Sequence, residues 1–489
     1  MNHFKLILAC LVLFGLFSFE KPQLTTNTQP NILFVIADDW SYGHASIYGD
    51  KVIKTPNFDR VAREGALFDN AYCASPSCAP SRAAILTGQF PHSLQQGANL
   101  WGVLNKEYPN YTRILESQNY YVGLTRKGYG PGNFIAGGYD FNPAGKSYTD
   151  FATFFSKAPK DKPFCFWFGS ADPHREYESG SGEKSGMQPG KVQVPAWLPD
   201  FPIVRSDMLD YYFEVQHLDR ELGEMLKILE DAGQLDNTIV VVTSDNGMPF
   251  PRAKATLYDS GVRMPLAIRW GSKIKPGQRI KEFVSLIDLA PTFLEAAGQK
   301  VPLQMTGKSL MPLLQGKKIA EDRSKVYFER ERHANVRKGE LGYPSRAIRT
   351  HNFLYIENNF PERWPAGDPE FYHSVGPYGD IDMSPSKTFI LEHKSEKTIA
   401  PFFRRGFEKR PANELYDLKS DPNQLNNVAA SARYAQVLKT LRTDLNRWQV
   451  QTGDPRAINK EVLFDKYPYY GPSVKGAPST YQPPQKGSQ

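Results

Sequence analysis

Three short runs constrain this chain most. Asn31 to Ala37 carries Ile-Leu-Phe-Val-Ile-Ala, Phe164 to Gly169 reads Phe-Cys-Phe-Trp-Phe-Gly, and Ile239 to Thr243 reads Ile-Val-Val-Val-Thr. Each has strand length and no polar alternation, so both faces must be covered, as for a strand inside a parallel sheet. Helical spacing lies between them: Pro56 to Asn70, Ser206 to Asp231 stopped at Gly233, and Asp288 to Ala297 stopped at Gly298. Apolar strands alternating with helices predict a doubly wound α/β domain over about residues 30–320. Beyond it the texture changes. Val326 to Glu331, Ala347 to Thr350 and Phe353 to Ile356 read as short half-exposed strands, and Ala429 to Gln449 as a helix. These predict a smaller C-terminal α+β domain over 325–455. The tail, 456–489, turns rich in Pro, Gly and Ser from Tyr467 and is expected to wrap the surface or stay disordered.

Composition excludes some classes. The 489 residues suffice for two to three domain-sized units. A net charge of +7 from 59 basic and 52 acidic residues is mild, and no Lys/Arg run resembles a nucleic-acid arm. A basic start and an apolar run from Leu6 to Phe19 read as a secretory signal over residues 1–22, hence a periplasmic or secreted protein. The run is short for a membrane span, no second apolar segment follows, and its continuation past Cys10 argues against lipidation. Once Cys10 leaves with the signal, Cys73, Cys78 and Cys165 remain, too few for a disulfide framework. Cys73 and Cys78 could pair or join a metal, but a lone Cys-x4-Cys is a poor zinc site.

Each apolar run ends in reactive residues: Asp38-Asp39 after the first, Ser170-Ala-Asp172-Pro-His174 after the second, Ser244-Asp245-Asn246-Gly247 after the third. Open α/β sheets bind ligands beyond the carboxyl ends of their strands. Asp38, Asp39, Asp245 and Asn246 would there form a hard oxygen cage for Ca²⁺ or Mg²⁺. Any one such dipeptide is commonly just a turn. A third element joins them, Cys78-Ala-Pro-Ser-Arg82-Ala-Ala-Ile-Leu-Thr-Gly88. Pro80 suits a first helical turn, so a helix is predicted over Ser81 to Thr87 with Gly88 as its stop. Cys78 would sit just ahead of that N-terminus, which favours an anion, with Arg82 one turn on. The plain alternative is a buried structural cysteine.

The Cys78 segment resembles the type I sulfatase signature, and the first and third strand ends with Lys254 are similar to sulfatases generally. More narrowly, Asp172-Pro-His-Arg175, Thr243-Ser-Asp-Asn-Gly-Met-Pro-Phe-Pro251, Thr256-Leu-Tyr258, Tyr343-Pro-Ser-Arg346 and Glu414-Leu-Tyr-Asp417 resemble the N-sulfoglucosamine sulfohydrolases. The resemblance implies an alkaline-phosphatase-like fold, a large mixed sheet sandwiched by helices plus the smaller C-terminal domain. It implies a sulfuric ester or sulfamate hydrolase acting on sulfated glycans, with N-sulfoglucosamine of heparan-type glycans leading and an O-sulfated algal or host polysaccharide second. It implies formylglycine made from Cys78 by a maturation enzyme, and calcium at Asp38, Asp39, Asp245 and Asn246, completed by residue 78 or the bound sulfate. Arg82 would orient the nucleophile, Lys127 would touch it and the sulfate, His174 would protonate the leaving group, and Lys254 would bind sulfate. Where the family usually has histidine, this chain has Tyr129. Further substrate-side candidates are His92, Asn99, Trp101, Arg175, Glu176 and Arg346, the last as a wall of a closed pocket.

Two other readings compete. A phosphate or phosphonate ester hydrolase of the same superfold usually wants Ser or Thr and histidine-held metals, and the chain's nine histidines show no paired spacing beside Asp38 or Asp245. An inactive glycan-binding homologue conflicts with the intact reactive set.

Overall fold

The computed structural model describes residues 29–370, 376–458 and 461–471. The predicted signal and the end of the tail lie outside them. The three apolar runs form adjacent parallel strands. Asn31–Ala37 is central, with Phe164–Gly169 on one side and Thr238–Ser244 on the other. The whole eight-stranded sheet orders as Gln278–Ile280, Ala66–Phe68, Leu266–Arg269, Thr238–Ser244, Asn31–Ala37, Phe164–Gly169, Tyr121–Arg126 and Lys146–Ser147. Leu266–Arg269 runs antiparallel to both neighbours, so the sheet is mixed. Successive side chains of the central strand alternate between two cores. Ile32, Phe34 and Ile36 pack with Ile85 and Leu86 on one face; Leu33, Val35 and Ala37 pack with Met208, Val215 and Leu222 on the other. Burying each large apolar side chain contributes about 1.5–3 kcal/mol.

Register decides the site. Ile36 pairs with Gly169 and Ala37 with Ser244, so the three strands stop level. Backbone bonds past the ends hold the loops together: Asp38 N donates to Asp172 O (3.0 Å), Ser170 N to Ile36 O (3.0 Å) and Asp245 N to Ala37 O (3.2 Å).

Several local expectations shift. The helix expected over Pro56 to Asn70 stops at Arg63, and the chain becomes the strand Ala66–Phe68. Gly65 makes that turn possible, since a Cβ there would lie 2.0 Å from Ile268 O. The long helix starts earlier, at Pro202. The last begins at Ala435, after a 3-10 turn at Ala432–Tyr434, and runs to Thr452.

The C-terminal strands Lys325–Arg330, Ser345–Thr350 and Phe353–Asn358 form an antiparallel sheet with Asn413–Asp417, a strand the apolar pattern did not reveal. One face (Phe328, Ala347, Leu354, Ile356) joins the main core, while Ile348, Tyr355 and Leu415 receive Leu441, Leu445 and Trp448 of the last helix. Helices Pro385–Glu392 and Ala400–Phe407 send Ile390 and Phe407 into the core on the opposite side of the main sheet. Part of the tail is ordered against the body, with Phe464 and Tyr469 buried. Among the described residues no helix is long and apolar enough to cross a membrane.

Candidate active site

The helix carrying the cysteine spans Cys78–Thr87, capped by Ser77 and ended by Gly88 at φ 63°. Cys78 is therefore its first residue, not the residue ahead of it. Its Sγ lies 3.3 Å from Asp38 Oδ1. Burial pushes the thiol well above its usual range, Asp38 adding to the effect and Lys127 opposing it. A protonated thiol is a poor nucleophile. Cys73, Cys78 and Cys165 are all unpaired and buried.

Asp38, Asp39, Asp245 and Cys78 are buried with ligand atoms within 4.8 Å of one another. Asp39 sits at φ 77°, in the left-handed region, and its carboxylate accepts from Asn246 Nδ2 at 2.6 Å. Arg82 Nε donates to Asp245 Oδ2 (2.7 Å) and its Nη1 to Lys127 O (2.6 Å). Lys127 Nζ donates to Asp38 Oδ2, and Lys254 Nζ to Asp39 Oδ2 (2.7 Å). Burial raises the Asp38 carboxyl, but Lys127, His174, Arg82 and Lys254 outweigh it and hold it well below the usual range. For Asp39 burial wins over Lys254 and His174 and the pKa is raised; for Asp245 burial carries it to about 6 against Arg82. Three carboxylates this close resist full ionisation unless a cation sits among them. The donor set fits a hard divalent ion: the three carboxylates, plus Asn246, whose Oδ1 is buried without a hydrogen-bond partner. The cluster contains no histidine.

His174 stands at the rim, 34% exposed, its Nε2 3.9 Å from Asp39 Oδ2. Its Nδ1 lies 2.6 Å from Arg175 O, which places the proton of the neutral ring on Nδ1.

Most of the remaining substrate-side candidates have their side chains engaged elsewhere in the fold. Arg346 is fully buried; its Nε and Nη2 bind Asp454, Nη2 also binds Glu331, and Nη1 is taken by the carbonyls of Arg330 and Ser345. It has no donor left for a sugar. His92 accepts the same fate: its backbone N donates to Glu329 (2.6 Å) and its Nδ1 lies 2.7 Å from that carboxylate, beside Trp448. Arg175 forks onto Asp207 at 2.7 and 2.9 Å and stacks on Phe250. Asn99 is tied to Phe464 O (2.8 Å), and the Trp101 ring packs edge-on to Tyr469 at 6.4 Å. Glu176 is exposed. The Tyr129 ring lies in the core and its buried Oη has no hydrogen-bond partner. Two residues went unread. Asp382 forms an ion pair with Lys254 at 2.7 Å, and His333 Nδ1 lies 2.8 Å from Ser77 Oγ. Neither stands in a quoted motif, although both fall in the loops that follow C-terminal strands.

A level row of parallel strands with an acidic cage and a helix-borne cysteine defines a hydrolase of the alkaline-phosphatase-like fold. Residues 30–299 match the Sulfatase family model and residues 252–365 match "N-sulphoglucosamine sulphohydrolase, C-terminal". The chain belongs to the sulfatase family and is a sulfuric ester or sulfamate hydrolase. Among its relatives, N-sulphoglucosamine sulphohydrolase of Homo sapiens is 30% identical over 87% of this chain and 91% of its own. An ulvan-active sulfatase of Formosa agariphila is 28% identical over 91% and 79%. A protein solved in complex with its substrate D-glucosamine-2-N,6-O-disulfate superposes with a TM-score of 0.64 at 24% identity, covering 88% of this chain and 100% of that one.

Proposed function

We propose that the protein is an exported enzyme that removes sulfate from a terminal sulfated sugar of an anionic glycan, using Cys78 matured to formylglycine and calcium held by Asp38, Asp39, Asp245 and Asn246. The observation that carries this reading is the meeting of Cys78, at a helix N-terminus, with the acidic cage built from two level strand ends. When present, the calcium would neutralise charge on the sulfate and the formylglycine would supply a hydrated aldehyde in place of the unreactive thiol.

The chain's own side chains do the rest. Partly exposed Lys127 and buried Lys254 carry positive charge beside the cage and offer it to sulfate oxygens, whose own charge repels a nucleophile. Arg82 holds Asp245 and the Lys127 backbone in place. His174, with Nδ1–H donating to a carbonyl, keeps Nε2 to carry a proton to the departing oxygen or nitrogen. The unit over 30–320 carries this chemistry, and the unit over 325–455 closes one side of the pocket. N-Sulfoglucosamine is the leading substrate, supported by the human relative and the C-terminal family match; the ulvan-active relative supports an O-sulfated polysaccharide as the second. The maturation enzyme that oxidises Cys78 is the expected protein partner.

Mass spectrometry of the Cys78 peptide is expected to find the aldehyde, and Cys78→Ser to bind substrate without turnover. An active preparation holding only unmodified thiol overturns the mechanism. A desulfation screen on defined N-, 2-O-, 3-O-, 4-O- and 6-O-sulfated sugars tests the substrate; release from O-sulfated sugars but never from N-sulfoglucosamine overturns the leading assignment.

A further inference from the structure

Asp382 enters the site from the chain segment that follows the C-terminal strands. Its Oδ2 forms an ion pair with Lys254 Nζ at 2.7 Å but accepts no hydrogen bond, and the same Nζ donates to Asp39 Oδ2 at 2.7 Å. Ligand atoms of Asp39, His174 and Asp382 lie within 4.8 Å of one another. Asp382 keeps 29% of its side chain open to solvent, whereas Lys254 keeps 2%. The segment is built rigidly. Asp380 accepts from Arg330 and Arg337 at 2.5 Å each and from Ala334 N at 3.0 Å. Lys387 Nζ donates to Ile381 O at 2.7 Å and Tyr378 O at 3.1 Å, and Asp380 N to Ala366 O at 2.9 Å. Two arginines on the Asp380 carboxylate and a buried lysine on the carbonyls of Tyr378 and Ile381 thus fix the segment that leads into one partly open carboxylate.

A fixed anion beside a sulfate pocket repels the sulfate itself. Lys254 offsets its charge from the buried side, and its open side suits donors on the part of the substrate that is not sulfate. His174 marks the leaving atom, so the donors within reach of Asp382 are on the ring atom next to it. Resting on the sulfatase reading above, we infer that Asp382 determines specificity: it accepts a hydrogen bond from a free hydroxyl of the sugar beside the sulfated position. An oxygen acceptor with full negative charge rejects a substrate lacking that hydroxyl, because the carboxylate is then left desolvated and unpaired.

Asp382→Asn in the matured enzyme is expected to lower kcat/KM on the preferred sulfated sugar about 10- to 100-fold, mostly through KM. The inhibition constant of inorganic sulfate should be unchanged or tighter, since one negative charge is gone. Asp382→Glu, which keeps the charge beside Lys254 but moves the oxygen, should lose sugar turnover while retaining sulfate binding. The wild type should lose as much on an analogue deoxygenated at the neighbouring carbon, and Asp382→Asn should lose nothing further on it. If sulfate binding weakens in step with KM, Asp382 acts only by holding Lys254 and the inference is overturned while the sulfatase reading stands. A wild type that binds sulfate yet desulfates no sugar sinks that reading, and the inference with it.

Discussion

His333 is 5% exposed and joined through Nδ1 to the hydroxyl of Ser77, the residue just ahead of the Cys78 helix. Burial lowers its pKa to about 3, Asp380 opposing. The sign follows from linkage: between about 3 and the ordinary 6.5, the unfolded chain binds more protons than the folded one, so stability is full above 6.5 and falls as pH drops. Each unit costs about 1.4 kcal/mol. His333→Gln, which keeps an acceptor for Ser77, should flatten the acid limb of a plot of Tm against pH; an unchanged limb would remove His333 from the acid response. At this scale the motif residues were legible because their chemistry is unusual in that order. Asp382 and His333 were not, because a lone Asp or His in a loop carries no pattern until the fold places it.

Between elements, the strongest device is a buried ionic network. Arg346, on the strand Ser345–Thr350, bonds Asp454 beyond the last helix, Glu331 just after the neighbouring strand, and lies 3.2 Å from Glu329. Arg456 binds Glu331 and His92 binds Glu329, so the segment just after the last helix, the four-stranded sheet and the loop after the Cys78 helix share one charge cluster. Breaking such a network by removing one partner leaves carboxylates uncompensated and costs about 3–5 kcal/mol. Arg346→Ala is therefore expected to lower Tm strongly, with KM of the surviving folded enzyme unchanged. A raised KM at unchanged Tm would restore Arg346 to the substrate pocket. Sequence placed this arginine at the site because its motif did; burial moved it into the framework.

For the whole molecule, the acidic cage couples metal to folding. Asp39 and Asp245 are both pushed toward protonation by burial, which a bound cation relieves. Chelation should abolish turnover and lower Tm, and calcium at about 100 times its Kd should return about 2.7 kcal/mol. Asp245→Ala should lose that calcium response and also free Arg82. Identical melting with and without chelator would argue against a resident metal. The eight-stranded and four-stranded sheets share a core, so this loss should appear as one cooperative transition across the strands and the C-terminal helices, measured by calorimetry.

The sequence by itself determined the central strands, because runs such as Ile239–Thr243 have no polar face and can only be buried. It determined the reactive set as well, because Asp38, Asp39 and Asp245 follow those runs directly and Cys78 opens a helix with its own stop. Only the tertiary structure decided how the set meets. Level register between Ala37 and Ser244 brings residues 207 positions apart into one cage, as in the bond from Asn246 to Asp39. It decided too which charged residues are free. Arg175, Arg346 and His92 resemble site residues in sequence, but each is engaged by a carboxylate from another segment: Asp207, Asp454 with Glu331, and Glu329 respectively. Partner choice of that kind depends on the packing of elements far apart in the chain, which local composition and spacing do not encode.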